Sequence, residues 1–264
     1  MFGHPVGSPF EYQGTTFTEA VSRLLYVVEQ GAPFVVFSGA SGSGRTTLLR
    51  TVESDCRRNG LSALTLNAAG LDQTSFLQQL SRSLCVYPTA APSAVEAMSA
   101  IRDEITGRSF CDHSTVLLID DLDAAAAELH SPIRFLTSLN EATHGRITVI
   151  ATCRQDQAAE PSLAALQSLS ALQSLSALRV ELPPLSDTEA VEFASAFLAE
   201  VEFDPRQLTA DAEDFLVQFG QGNISRLARI CEIVCLAAAA DPQMVLDQAA
   251  LQQLSSETLL QPIA

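Results

Sequence analysis

The sequence predicts an α/β fold: a five-stranded parallel sheet flanked by helices, followed by a smaller all-helical part. Three observations carry this. Five short apolar runs bounded by turn signals alternate with stretches whose apolar residues recur at three- and four-residue spacing. The first run, "PFVVFSG" at 33–39, leads straight into the glycine-rich "ASGSGRTTLLR". After "LPPLS" at 182–186 the strand signals stop, and the remaining chain reads as helices only.

In chain order, "PFVVFSG" is a buried strand and "TTLLRTVESDCRRNG" a helix that opens at the loop. Further strands are predicted at 61–67 ("LSALTLN"), 114–121 ("STVLLIDD"), 145–153 ("GRITVIATC") and 177–183 ("ALRVELP"). Between them "TSFLQQLSRSLCV", "SAVEAMSAIRDEITGRSF" and "PIRFLTSLNEATH" carry helical periodicity. Strands separated by helices imply a parallel sheet covered on both faces. The boundary falls near Pro183 and Pro184, giving an α/β domain over 1–183 and a helical domain over 184–264. "SDTE" at Ser186–Glu189 is a capping box that starts a helix, and further helices are predicted from Thr209, from Asn223 and along "VLDQAALQQLSSET".

The loop carries the chemistry. In G-x-x-x-x-G-K-[ST] the glycines let backbone N–H groups wrap phosphates, the lysine reaches the outer phosphates and the hydroxyl holds Mg²⁺. Here Gly39, Ala40, Ser41, Gly42, Ser43 and Gly44 make the loop, and Thr46 and Thr47 follow. Gly39, Gly44 and Thr46 match; Arg45 stands where the lysine belongs. Amides at a helix start attract phosphate whatever residue occupies 45, so ATP or ADP with Mg²⁺ is the expected ligand, with Thr46 on the metal. "VLLIDD" is the usual partner of such a loop: a buried strand ending in an acid that holds Mg²⁺, here Asp120, followed by a carboxylate that orients the attacking water, here Asp121. A glutamate is common at the second place, and aspartate is about one methylene shorter, where ~1 Å of misplacement can cost ~100-fold in rate.

Composition narrows the partners. Net charge is −16 with a pI near 4.5, which argues against nonspecific binding to nucleic acid or anionic membrane. All fifteen basic residues are arginine, so Arg45 is partly permitted by a general drift away from lysine. Six cysteines form no C-x-x-C pair and no secretory leader is evident, pointing to a reducing, cytoplasmic setting. Cys231 and Cys235 lie four apart on one helix face, a poor zinc site with two ligands alone, and read as buried free thiols. No apolar run reaches the ~18 residues of a membrane helix. "ALQSLSALQSLSAL" at 165–178 repeats a six-residue unit with leucine at every third position. It reads either as a duplication in a surface helix or as a leucine-rich docking surface.

The chain resembles the AAA+ ATPases of the ExeA-like type, named for an accessory ATPase of bacterial general secretion. The marks are "GSPFE", "FTEAVSRLLYVVEQG", "SGASGSGRTTLLR", "VLLIDD", "IRFLTSLNEA", "VELPPLSDTEAVEF" and "GQGNISRLARICEIV", in that order along nearly the whole chain. The resemblance implies a five-stranded parallel sheet, a helical lid, ATP between them and nucleotide-controlled oligomers. By the same resemblance Thr152 is the polar sensor at the end of the fourth strand, and Arg226 the lid arginine that reports nucleotide. The arginine that relatives carry just before the fifth strand falls near Leu175, inside the repeat, leaving Arg154 and Arg179 as geometric substitutes. The membrane segment and wall-binding region of the secretion members have no counterpart in this sequence.

Together these readings predict an ATP-binding protein of weak or slow hydrolysis that controls self-assembly or a partner protein. A catalytically dead scaffold or regulator is the alternative. A transposition-type ATPase coating DNA is disfavoured by the acidic balance.

Overall fold

The computed structural model describes residues 12, 14–86, 93–155, 178–241 and 243–259; the duplicated segment, apart from Leu178, lies outside them, as does the Leu175 position. The strands are β1 (Phe34–Gly39), β2 (Ser62–Asn67), β3 (Thr115–Asp120), β4 (Ile147–Arg154) and β5 (Leu178–Leu182). The helices are α1 (Thr15–Glu29), α2 (Arg45–Arg58), α3 (Gln73–Ser83), α4 (Ala94–Phe110), α5 (Ala126–Ala142), α6 (Asp187–Glu200), α7 (Ala210–Gly220), α8 (Ile224–Ala240) and α9 (Gln248–Leu259). The chain divides into two compact units: Glu19–Ser41 with Arg45–Leu182, and Met1–Thr18, Gly42–Gly44 and Pro183–Ala264 so far as these are described.

In the first unit the strands form one parallel sheet in the order β2-β3-β4-β1-β5. Alternation explains the layers. Val36, Leu117, Ile119, Val149 and Ala151 share a core with Leu77 and Leu80 of α3, Ile101 and Ile105 of α4, and Ile133 and Leu136 of α5. Their neighbours Val35, Phe37, Val116, Leu118 and Ile150 are equally buried, and α2, with Leu48, Leu49, Val52 and Cys56 inside, packs against β2 and β3. A sheet covered on both faces needs apolar residues at every position, which is why these strands read as unbroken apolar runs.

Local departures have local causes. β3 stops at Asp120 because Asp121 turns into the left-handed region at φ +52°. β4 starts at Ile147 because His144 and Gly145, at φ +52° and +79°, still belong to the turn. α5 starts upstream of the segment read from Pro132, at Ala126, and carries Pro132 inside it; Leu129, Ile133 and Leu136 keep its buried face in register across the lost N–H.

The second unit is helical. Ser186 and Glu189 close the capping box at the start of α6, Thr209 precedes α7, and the Asn223 side chain accepts from the Arg226 N–H at the start of α8. Leu198, Leu216, Ile230, Cys231, Val234 and Leu251 form its core, and Tyr12 meets Phe193 edge-on at 5.4 Å between ring centroids. Cys231 is buried and Cys235 half-buried, both free thiols. Among the described residues no helix is long and apolar enough to cross a membrane.

Candidate functional site

The sheet order reverses at β1: the chain leaves it for the β2 edge, returns through β3 and β4, and crosses to β5. Ligands of open parallel sheets bind beyond the carboxyl ends of strands at such a reversal, because connections there diverge and leave a crevice. The glycine loop leaves β1 at this end, and Asp120 and Thr152 lie at the neighbouring strand ends.

The loop has the backbone that wrapping requires. Gly42 and Gly44 have φ +75° and +92°, conformations that side chains other than glycine's resist. Arg45, Thr46 and Thr47 form the first turn of α2, whose amides have no intrahelical acceptor. Ser43 is buried, and its Oγ has no partner.

Asp120 is the hub, with only 4% of its surface exposed. Its Oδ2 accepts from Thr46 Oγ1 at 2.7 Å. Its Oδ1 accepts from Thr152 Oγ1 at 2.5 Å and from the Asp121 N–H at 3.1 Å. Thr152 is fully buried, and its hydroxyl also accepts from the Asp121 N–H at 2.9 Å. Thr152 thus fixes both acids: it orients the carboxylate of one and the backbone of the other.

Asp121 is more open and more loosely held. Arg45 Nη2 lies 3.5 Å from its Oδ1, and Asn67 Nδ2 lies 3.4 Å from its Oδ2. The Arg45 side chain is 10% exposed, and its Nη1 is buried without a partner. Sequence reasoning missed Asn67. Its role comes from pairing: it ends β2 in register with Asp120, and its Oδ1 accepts from the Ala69 N–H at 2.8 Å, which turns its amide nitrogen toward Asp121. The one available signal was a polar residue closing an apolar strand.

Of the remaining candidates, Arg154 donates from its backbone N–H (3.1 Å) and its Nε (3.0 Å) to Asp123 of its own chain. Arg179 is exposed on β5. Arg226 lies in the helical unit, where its Nη1 donates to Gln221 Oε1 at 2.8 Å. Cys153, buried beside Thr152, has its thiol pushed up to about 12, first by burial and then by the negative charge of Asp123; the positive charge of Arg45 works the other way.

Do these residues fit a nucleotide and Mg²⁺? A glycine turn with first-turn amides, a buried hydroxyl and a buried guanidinium nitrogen without acceptors is a donor set in want of an anion. Thr46 and Asp120 are hard oxygen ligands that already meet, Thr46 Oγ1 lying 2.7 Å from Asp120 Oδ2. That suits Mg²⁺, which takes one or two protein oxygens and completes its shell with water and phosphate.

The AAA domain family matches residues 28–159, half of the chain and the whole span from the end of α1 past β4. The chain belongs to the AAA domain family. Solved structures agree on the fold of this AAA domain. Cdc6p from Pyrobaculum aerophilum is similar at TM-score 0.73 and 15% identity, over 97% of this chain and 71% of that one. The Aeropyrum pernix ORC2 protein, in ADPNP-ADP complexes, follows at TM-score 0.67 and 15% identity, over 98% and 72%. Drosophila ORC bound to DNA gives TM-score 0.66 and 14% identity, over 99% and 70%. Identities this low establish the AAA+ ATPase-type fold alone. No curated protein matches the sequence. These three structures are Orc and Cdc6 proteins, so the narrower likeness to ExeA-type ATPases rests on the motifs of the sequence. The expectation that nucleic acid is not a partner gains no support, since one of these folds is seen on DNA.

Proposed function

We propose that this AAA domain binds ATP or ADP with Mg²⁺, hydrolyses ATP slowly or not at all, and uses the bound nucleotide to organise self-assembly or a partner protein. In this reading 1–183 is the nucleotide domain and 184–264 the lid, Arg226 reports nucleotide to that lid, and the ExeA-like motifs reflect kinship in a cytoplasmic setting. The observation that carries it is the pairing of a fitted phosphate site with Arg45 and Asp121 at its two catalytic positions.

Backbone amides of Gly42–Gly44 and the Ser43 hydroxyl would hold the phosphates, while Thr46 and Asp120 would hold Mg²⁺, which supplies charge neutralisation at the outer phosphates. Arg45 differs from lysine in a defined way. A guanidinium is planar, bulky and permanently charged, so it forks two phosphate oxygens but does not follow the migrating group as a compact point charge. It then stabilises bound ATP about as well as the transition state, which does little for rate. Asp121 is short for a base, and both its oxygens already face donors. Those same contacts favour the second reading, a scaffold that binds nucleotide without turning it over.

The test is ATP turnover by wild type, Arg45→Lys, Asp121→Glu and the double variant, each over a range of protein concentration, because an arginine missing from the site has to come from a neighbouring copy. The double variant is expected to exceed either single change, since both act on one reacting centre. Rapid turnover by wild type, or its failure to bind nucleotide, defeats the proposal. Salt-dependent DNA binding by the same protein would bring nucleic acid in as the partner.

A further inference from the structure

The two residues that depart from the usual phosphate-loop pattern are 76 positions apart in sequence and face each other in the structure. We infer that Arg45 and Asp121 form a counter-ion latch: in the nucleotide-free protein the strand-end acid holds the loop cation, and an entering polyphosphate has to take it away. This rests on the nucleotide reading above and adds a control to it.

The geometry supports a latch on both sides. The backbone of Asp121 is fixed, because its N–H is held by Thr152 and by Asp120 and its φ is +52°. Aspartate tolerates that conformation better than longer or branched residues. Its Cα–Cβ bond therefore leaves the backbone in a set direction, and the carboxylate it carries has Arg45 against one oxygen and Asn67 against the other. On the arginine side only Nη2 has an acceptor; Nη1 is buried without one. A guanidinium is built to fork two oxygens, so the pair with Asp121 leaves it half satisfied, and a phosphate presenting two oxygens competes for both nitrogens. In this arrangement the acid expected to orient water and the cation expected to grip phosphate neutralise each other until nucleotide arrives.

The experiment is a double-mutant cycle on the full chain with a fluorescent ADP derivative in the absence of Mg²⁺, so that neither metal nor turnover enters. The four proteins are wild type, Asp121→Asn, Arg45→Met and the double variant. If the pair is surrendered on binding, Asp121→Asn frees Arg45, and the gain in affinity should be about fivefold or more larger with Arg45 present than in the Arg45→Met background, the scale of one ion pair. Simple relief of repulsion between Asp121 and phosphate predicts the opposite ranking, because Asp121 is unneutralised when Arg45 is gone. Equal gains, or a larger gain in the Met background, overturn the latch while leaving the nucleotide reading intact. No ADP binding by wild type or Asp121→Asn overturns both. The urea-unfolding midpoints of the same four proteins without ligand give a second measurement: the changes should be non-additive, and additive changes overturn the pair itself. Arg45→Gln replaces Arg45→Met in the cycle if the latter does not fold.

Discussion

The two ends of the parallel sheet use polar atoms in opposite ways. At the amino-terminal end the protein spends them on itself. Asn140 Nδ2 donates to the carbonyls of Gly31 at 2.9 Å and Ile147 at 2.6 Å, Thr143 Oγ1 returns to Leu139 O at 2.9 Å, and the Thr115 N–H reaches Arg146 O at 2.8 Å. At the carboxyl end Ser43 Oγ and Arg45 Nη1 are buried with nothing to donate to, close in sequence to a glycine turn and a helix start. One unpartnered hydroxyl also occurs at the other end, Thr115 Oγ1, but there the neighbouring cation, Arg146, is already spent on Asp112. The difference teaches that an orphaned hydroxyl alone is packing, whereas a buried guanidinium nitrogen with no acceptor asks for an anion.

The largest effect is expected where the end is purely structural. Gly31 has φ +64°, and a Cβ there would lie 2.6 Å from the Gly145 carbonyl oxygen, a backbone atom with little room to retreat. Gly31→Ala should lower stability by about 3 kcal/mol or more, read as a fall in the urea midpoint. Nucleotide affinity of the folded protein should be unchanged. A shift in affinity with no loss of stability would mean that the two ends are not separable in this way.

The next effect belongs to the other end and should have the inverse signature. Thr46→Ala removes one donor to Asp120, whose other oxygen keeps two. Stability should move by less than ~1 kcal/mol, while Mg²⁺-dependent nucleotide affinity should fall about tenfold, a ~1.4 kcal/mol loss. Titration with and without Mg²⁺ checks it, and equal affinity of the variant and wild type for Mg²⁺-ATP would remove Thr46 from the metal.

What was legible in the sequence follows the same division. The strands, the loop and the acid closing β3 are local features, written in apolar runs and glycines, and each strand was located to within about two residues. Asn67 was not legible, because only the register of β2 on β3 brings it beside Asp120. Nor was the Arg45–Asp121 pair, which depends on a backbone turn at Asp121 that a run of apolar residues ending in two acids does not announce. The start of α5 was missed because proline usually opens a helix, whereas here three buried residues hold the helix through it.

The smallest effect asks how dry the carboxyl end of β4 is. Cys153 lies at that end, yet burial first, then Asp123, pushes its thiol up to about 12, while burial pushes Cys56 in α2 up to about 11. A group whose folded value is raised keeps its full contribution below the unfolded value, here near 9, and loses it as pH climbs toward the folded one, because the unfolded chain releases the proton first. Stability should thus be flat in these groups below about pH 9 and fall by about 1 kcal/mol per thiol between pH 9 and 10. The protein has no lysine to titrate in this window, and the other raised thiols, Cys231 and Cys235, are common to wild type and both variants and cancel in the comparison. Urea midpoints at pH 7, 9 and 10 for wild type, Cys56→Ala and Cys153→Ala should show each alanine variant losing about 1 kcal/mol less than wild type on going from pH 9 to 10, whatever its cavity costs at neutral pH. If water reached the strand ends freely, Cys153 would ionise near 9 in the folded protein too, and its removal would leave the alkaline slope untouched while Cys56→Ala still flattened it. Equal flattening by both variants would mean that this end of β4 is as dry as the buried face of α2, as the place of Cys153 in one core with Leu117, Ile119 and Ala151 requires.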